Sequence, residues 1–411
     1  MTTPANPSIT APEDQSATFI ELFFDLVFVF AVTQVVGLLH GGLTWASAGR
    51  AALVFWLVWW AWTQFTWTLN AANTTHPLIE LGTLFATATA FFMAIALPEA
   101  FQERALWFAS TYVVVRAIGL AFQIWVTWAN TSQRAAVGRF ALVSLGGLAA
   151  VMAGAFAGGA ALYGLWALAI LLDVAAATAG GQSEHWNIHP EHFSERHGLF
   201  VIIALGETLI IAAGGVTGAV WTGEVIAVAV LTVGITCALW WSYSPRVKPA
   251  LERALSTGDG AARSTLARDA FSLLHFPMLC GVIVYAFATE EIVAHPEEVL
   301  GRSVRLALAL GLALFVGGLG VALWRATGRV LWPRLLIVVG TAAALLTWPN
   351  LRRSRWPSPW RVWSSSPCSR KGGGQSGPLR KTCSSRKLLL TGKRKAHEHR
   401  SAVSFALHLP F

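Results

Sequence analysis

The chain has 411 residues, 55% of them hydrophobic and 12% charged, where a soluble domain carries about 25% charged residues. Too few polar side chains remain to coat that much apolar volume against water, which excludes a soluble globular protein. The net charge of +9 comes from one segment: fourteen Lys and Arg against a single acid lie from Arg352 onward, while the rest, with sixteen basic and twenty acidic residues, carries −4, so nothing implies that the body binds nucleic acid.

The apolar residues fall in blocks of about 20, the length that crosses a hydrocarbon core. Backbone groups in lipid must satisfy one another, so such blocks are helical. Residues 1–18 hold no Lys or Arg, unlike a cleaved signal peptide, and read as a short cytoplasmic segment. In chain order the predicted spans are Phe19–Leu39, Ala51–Leu69, Leu81–Leu97, Leu106–Trp128, Phe140–Phe156 and Leu162–Ala179. Leu199–Gly214, Val225–Tyr243, Phe271–Ala288, Leu306–Trp324 and Val330–Leu346 follow. The predicted fold is an all-α polytopic transmembrane bundle of about eleven spans over residues 19–347. Trp107, Trp128, Trp221, Trp240 and Trp324 sit near span ends, as interfacial aromatics do. With the N-terminus and every second loop on one side, that side carries eleven basic residues and the other only four, which places the N-terminus in the cytoplasm.

Residues 348–411 break this pattern, because after eleven spans a basic segment belongs on the other side. Either one span is miscounted and the tail is a cytoplasmic polybasic segment, or the abrupt change near Trp348 marks a shifted reading frame. In both cases little order is expected there. Cys237 and Cys280 lie in spans and Cys368 and Cys383 in the tail, with no metal-ligand spacing.

A charge inside a membrane costs several kcal/mol and persists for a reason. Glu21, Asp25, Arg116, Asp173 and Glu207 all fall within predicted spans. Glu21 and Asp25, four apart, share a helix face, and two such carboxylates call for a proton or a cation. Arg116 cannot shed its charge, so it is expected to point inward onto Asp25, Glu21 or Glu207. Gln64, Gln123 and His275 fall at similar depth, and Pro277, just after His275, removes one helix hydrogen bond. These residues suit a proton or ion path or a binding pocket; a paired polar core that fixes helix packing is the bland alternative.

The segment from Glu184 to His197 reads as a cytoplasmic loop, with His192, Glu195 and Arg196 as its motif, and contains His185, His189, His192 and His197. Spacings of three and four can meet on one helix turn and hold a metal. Pro190 more naturally opens a helix, with Glu191 and Glu195 at its positive end, so no metal is expected. The face Trp56, Trp59, Trp60, Trp67 reads as packing before it reads as a cation box.

Three segments resemble the low-temperature-requirement A family of bacterial membrane proteins. They are Glu21-Leu-Phe-Phe-Asp-Leu-Val-Phe-Val-Phe, the Trp-rich second span, and His192-Phe-Ser-Glu-Arg-His-Gly-Leu-Phe-Val-Ile-Ile-Ala-Leu-Gly-Glu-Thr. The similarity runs from about Phe19 to Leu346. It implies that Glu21, Asp25, His192, Glu195, Arg196, Gly206 and Glu207 are signature positions. After the second span the family usually has acidic residues, where this chain reads Asn70-Ala-Ala-Asn-Thr-Thr-His76.

The resulting expectation is a multi-pass plasma-membrane protein, transporter- or channel-like, whose buried carboxylates bind or relay a proton or cation. Its partners are the lipid bilayer and a small ion or solute, with no cofactor and no nucleic acid. The alternatives are a membrane enzyme acting on lipid-linked substrates and a stress-response protein that transports nothing. No nucleophile–base pair, phosphate loop or zinc-protease helix appears, which weighs against the enzyme.

Overall fold

The computed structural model describes residues 8–347 apart from 13, 129, 182–185, 187, 217–220 and 296–297. The basic tail and His185 lie outside the described residues. Each predicted span corresponds to one long helix. The first six are α1 (Phe19–Gly37), α2 (Trp45–Ala71), α3 (Pro77–Ala96), α4 (Ala105–Thr127), α5 (Thr131–Ala157) and α6 (Gly159–Gly181). Then come α7 (Pro190–Val216), α8 (Gly223–Tyr243), the short α9 (Val247–Thr257) and α10 (Gly260–Leu266). The chain ends its described part with α11 (His275–Ala294), α12 (Arg302–Thr327) and α13 (Trp332–Thr347).

Nine of the described helical stretches are long and apolar enough to cross a membrane. Two elements fall short of that measure for opposite reasons. At 16 residues α13 is too short, and it has no buried residue. The 27-residue α2 is long enough, but Trp, Thr, Gln and Asn lower its hydropathy. Its run from Leu57 to Thr66 is buried without a break, so it has no lipid face that must be apolar. It packs against α1, α4, α6, α7 and α11 and forms the axis of the bundle.

Local signals set the helix ends. Thr44 caps α2 by accepting the Ser47 N–H at 3.1 Å, and Pro77 opens α3 at a position that needs no N–H. Gly328 ends α12 at φ 70°, the left-handed conformation favoured by glycine. Residues 9–11 return to the end of α2, where Asn73 N–H donates to the Ile9 carbonyl at 2.9 Å and Ala11 N–H to the Ala71 carbonyl at 3.0 Å.

Several boundaries differ from the sequence reading: α5 starts at Thr131, nine residues before Phe140, and α2 at Trp45, six before Ala51. Leu199 is the predicted start of the seventh span, yet α7 starts nine residues earlier at Pro190. The charges of His192–His197 lower the local hydropathy, but paired inside the bundle they do not prevent burial. The ninth span opens as a π-helical segment, Ala267–Leu273. Pro277 cannot donate to the carbonyl four residues back, and the preceding turn widens so that Leu274 N–H reaches the Asp269 carbonyl at 3.0 Å.

Candidate functional site

Helices α1 and α7 run side by side in the same direction, and their contacts keep nearly constant register. At their shared N-terminal end, the Arg196 guanidinium grips Asp25 with two bonds, Nη2 to Oδ1 at 2.6 Å and Nε to Oδ2 at 3.2 Å. Its Nη1 reaches Glu21 Oε1 at 2.5 Å. Glu21 Oε2 also receives Thr18 N–H at 3.0 Å, the Thr18 hydroxyl at 2.9 Å and His192 Nε2 at 3.1 Å. Trp62 of α2 donates its indole N–H to Asp25 Oδ1 at 2.7 Å. Glu21, Asp25, His192 and Arg196 are completely buried.

The proton on His192 can be located from its neighbour. Asn70 Oδ1 accepts the His189 N–H at 2.9 Å while Asn70 Nδ2 donates to the His189 carbonyl at 3.1 Å. That fixes the amide, so the group 2.9 Å from His192 Nδ1 is the donor Nδ2. His192 Nδ1 is therefore an acceptor, and its hydrogen sits on Nε2, pointing at Glu21. Two carboxylates, one guanidinium and one neutral imidazole leave one negative charge. The N-termini of α1 and α7 meet here, and each supplies about half a positive charge. The assembly is close to neutral, and every carboxylate oxygen is met by donors.

Farther along the same seam, Thr33 donates to Glu207 Oε1 at 2.8 Å. Eight residues of α1 separate Thr33 from Asp25, about 12 Å of helix. Phe28, Val29 and Val32 fill that interval and are buried. Glu207 is thus not part of the Glu21–Asp25 group. Glu195 accepts Ala17 N–H at 3.0 Å and ties the segment before α1 to α7.

Arg116 points into the bundle, as its charge requires, but its partner is none of the three carboxylates expected. Nη1 donates to Asp173 Oδ1 at 3.1 Å and to the Tyr112 hydroxyl at 2.8 Å. The reason is adjacency: α4 reaches Asp173 on α6, while α2 stands between α4 and the α1–α7 seam. Arg116 and Asp173 are buried, and Arg116 Nε and Nη2 have no partner in the protein.

On the side where the chain begins, a cavity of about 40 Å³ lies above this pair. Its walls include Trp60, Thr63, Gln64 and Trp67 of α2, Gln123 of α4, and Ser272 of the π-helical segment. Trp186 and Arg268, both half-buried, also line it. Gln64 Nε2 donates to the Arg116 carbonyl at 3.2 Å, which leaves Oε1 as a free acceptor. Trp60 Nε1, Thr63 Oγ1, Gln64 Oε1 and Gln123 Oε1 are all buried without a partner in the protein. The π-helical wall is held from α2: Trp59 N–H bonds the Ser272 carbonyl at 2.7 Å and Trp67 N–H the Ser272 hydroxyl at 2.8 Å. On the opposite side of Arg116 the column closes in a chain of rings. Tyr112 meets Phe108, Phe108 meets Trp166 and Trp166 meets Phe101, with centroids 6.2, 5.2 and 5.4 Å apart.

His275 stands apart from both groups. Its Nδ1–H donates to the Ala270 carbonyl at 2.8 Å and its Nε2 accepts the Tyr243 hydroxyl at 3.0 Å. Among the described residues no three His, Cys, Asp or Glu gather as metal ligands, and His192 already has both ring nitrogens bonded. Trp60, read from the sequence as packing, lines the cavity instead, while Thr63 and Tyr112 escape a reading of the sequence, because a Thr or an aromatic in a span carries no charge to mark it. Only the indole and phenol hydrogens, which need acceptors in an apolar interior, hint at Trp60 and Tyr112.

Nine described helical stretches able to cross a membrane, around a buried polar core, define a multi-pass α-helical membrane protein. The chain belongs to the bacterial low temperature requirement A (LtrA) family, whose profile matches residues 16–359. An uncharacterized protein of Rhizobium meliloti (strain 1021) is 27% identical over 332 residues, covering 78% of this chain and 80% of its own. No solved structure matches the chain.

Proposed function

We propose that the protein is transporter-like and moves protons, with water in the cavity linking the side where the chain begins to Asp173. The observation that carries this reading is the convergence of Trp60, Thr63, Gln64 and Gln123 on one cavity, each with a buried polar atom that no protein group satisfies. A dry group of this kind costs about 1–3 kcal/mol. A water needs about 10–15 Å³ and two to four polar partners, so roughly three waters fit the volume and the polar atoms present. The space admits water or a bare ion and no lipid-linked substrate. Asp173, bonded to Arg116, supplies the proton-accepting carboxylate of the column, and the ring chain from Tyr112 to Phe101 favours a carrier open to one side over a continuous pore. On this reading Glu21 and Asp25, saturated by donors, act as fixed charges, and the side that opens is the cytoplasm.

The test is proton flux into liposomes carrying a pH-sensitive dye, with a panel of cations and with wild type beside Thr63→Val/Gln123→Leu. The variant is expected to lose flux by about tenfold, the scale of one hydrogen bond of roughly 1.4 kcal/mol. Its thermal midpoint is expected to hold or rise, since unsatisfied polar atoms have been removed. Equal flux in both proteins would overturn the reading. A second reading, a protein that transports nothing, draws on the complete pairing of the Glu21–Asp25–Arg196–His192 group, which fastens α1 to α7. Background flux from wild type under every gradient would favour it.

A further inference from the structure

We propose that Arg246 and Arg334 form a binding site for the phosphate of an anionic phospholipid, at the membrane surface between α8 and α13. The chain leaves α8 through Trp240-Trp241-Ser242-Tyr243-Ser244-Pro245-Arg246, and α13 begins Trp332-Pro333-Arg334. Arg334 Nη1 donates to the Ser242 carbonyl at 2.8 Å, which brings the guanidinium to the end of α8 and within electrostatic reach of Arg246. The Arg246 guanidinium lies 5.5 Å from the Trp241 ring centroid. Two like charges are thus held close together, and no carboxylate pairs with either among the described residues. Nearby cations are treated differently: Arg268 and Arg325 share Asp269, and Lys248 pairs with Glu252. An anionic lipid headgroup supplies the partner that the described residues do not. The Ser244 hydroxyl, in the same turn, also has no partner in the protein.

Guanidinium groups with unused N–H donors match phosphate oxygens, which accept two parallel bonds. The surroundings point to a lipid as the source. Trp241 and Trp332 are 56% and 65% exposed, the disposition of interfacial aromatics at headgroup level. Beyond Arg334, α13 turns Leu336, Ile337 and Val339 outward, an apolar face for the acyl chains of a lipid whose phosphate sits on the arginines. Such a lipid would also bridge α13, which buries no residue of its own, to α8.

The experiment uses the full chain in nanodiscs of phosphatidylcholine with or without phosphatidylglycerol. It reads the thermal midpoint and the phosphatidylglycerol retained in native mass spectrometry. The basic tail is common to all variants, so the comparison isolates the site. Wild type is expected to keep a phosphatidylglycerol that Arg246→Gln/Arg334→Gln loses, and the lipid-dependent rise in midpoint is expected to go with it. Arg329→Gln, a neighbouring exposed cation, is expected to behave as wild type. If the double Gln variant does not fold, Arg246→Lys/Arg334→Lys keeps the charge but not the planar fork and is expected to retain the lipid less tightly. Equal retention in the folded double variant, or an equal loss in Arg329→Gln, would overturn the proposal. So would displacement of the lipid by millimolar inorganic phosphate, which would assign the site to the free ion.

Discussion

Arg116 on α4 donates to Asp173 on α6 across 3.1 Å, at a depth where neither side chain reaches solvent. Removing one member of a buried pair strands the other's charge, at about 3–5 kcal/mol. Arg116→Met is therefore expected to lower the yield and thermal midpoint sharply, and Asp173→Asn to do less harm, since an amide can still accept from the guanidinium. Arg116→Met/Asp173→Leu is expected to recover part of the loss, whereas Arg116→Met with Asp25→Asn is expected to compound it. Thermal unfolding in detergent across these variants checks the assignment; recovery with Asp25 in place of Asp173 would be inconsistent with the geometry.

Hydropathy blocks made the helices legible, because lipid leaves a chain few other options. The charges in spans were legible for a related reason, since each needs a partner. Which partner was not legible. The choice of Asp173 for Arg116 follows from α2 occupying the centre of the bundle, and no spacing within the chain encodes which helix takes the middle. Arg196 reads as a loop residue because His192, Glu195, Arg196 and His197 depress hydropathy when each is counted as an isolated charge. Bonded to Glu21 and Asp25 its charge is balanced within the bundle, and the helix extends past it. The cavity was half-visible: Gln64 and Gln123 stand out in a span, while Thr63 looks like an ordinary helix residue and the Trp60 face reads as packing.

His192 Nδ1 accepts from Asn70, and this bond makes a prediction about protonation. Nitrogen-15 NMR of selectively labelled protein is expected to show His192 as the neutral Nε2–H tautomer. Asn70→Asp would present an acceptor in place of the donor and should pull a proton onto Nδ1, giving an imidazolium between two carboxylates. An Nδ1–H signal in wild type would contradict the donor order assigned to Asn70.

Gly281 and Gly311 let the backbones of α11 and α12 touch. A Cβ on Gly281 would lie 2.6 Å from the Phe315 nitrogen and 2.7 Å from the Gly311 carbonyl oxygen. No side-chain rotation relieves a clash with backbone, so Gly281→Ala must separate the two helices. Overpacking of this sort costs about 1–3 kcal/mol. The thermal midpoint is expected to fall, with a smaller change for Cys280→Ala at the adjacent half-buried position. Equal midpoints for Gly281→Ala and wild type would mean that the crossing is looser than the backbone contact requires.

The amphipathic α9 gives the sharpest test of orientation. Val247, Leu251 and Leu255 are buried on one side of it, and it packs against α7 and α12. Five basic residues, Arg246, Lys248, Arg253, Arg263 and Arg268, lie in the stretch joining α8 to α11. Basic connections between spans stay in the cytoplasm, because moving them across the bilayer opposes the charge bias that sets topology. A reporter inserted after Ser256 is therefore expected to be active in the cytoplasm, and one inserted within Gly215–Gly223, at the far end of α8, outside it. Because α8 is 21 residues long, about 32 Å of helix, it is long enough to separate the two reporters across the hydrocarbon core. Cytoplasmic activity from both insertions would mean that α8 does not cross, and would take with it the assignment of the cavity mouth to the cytoplasmic side.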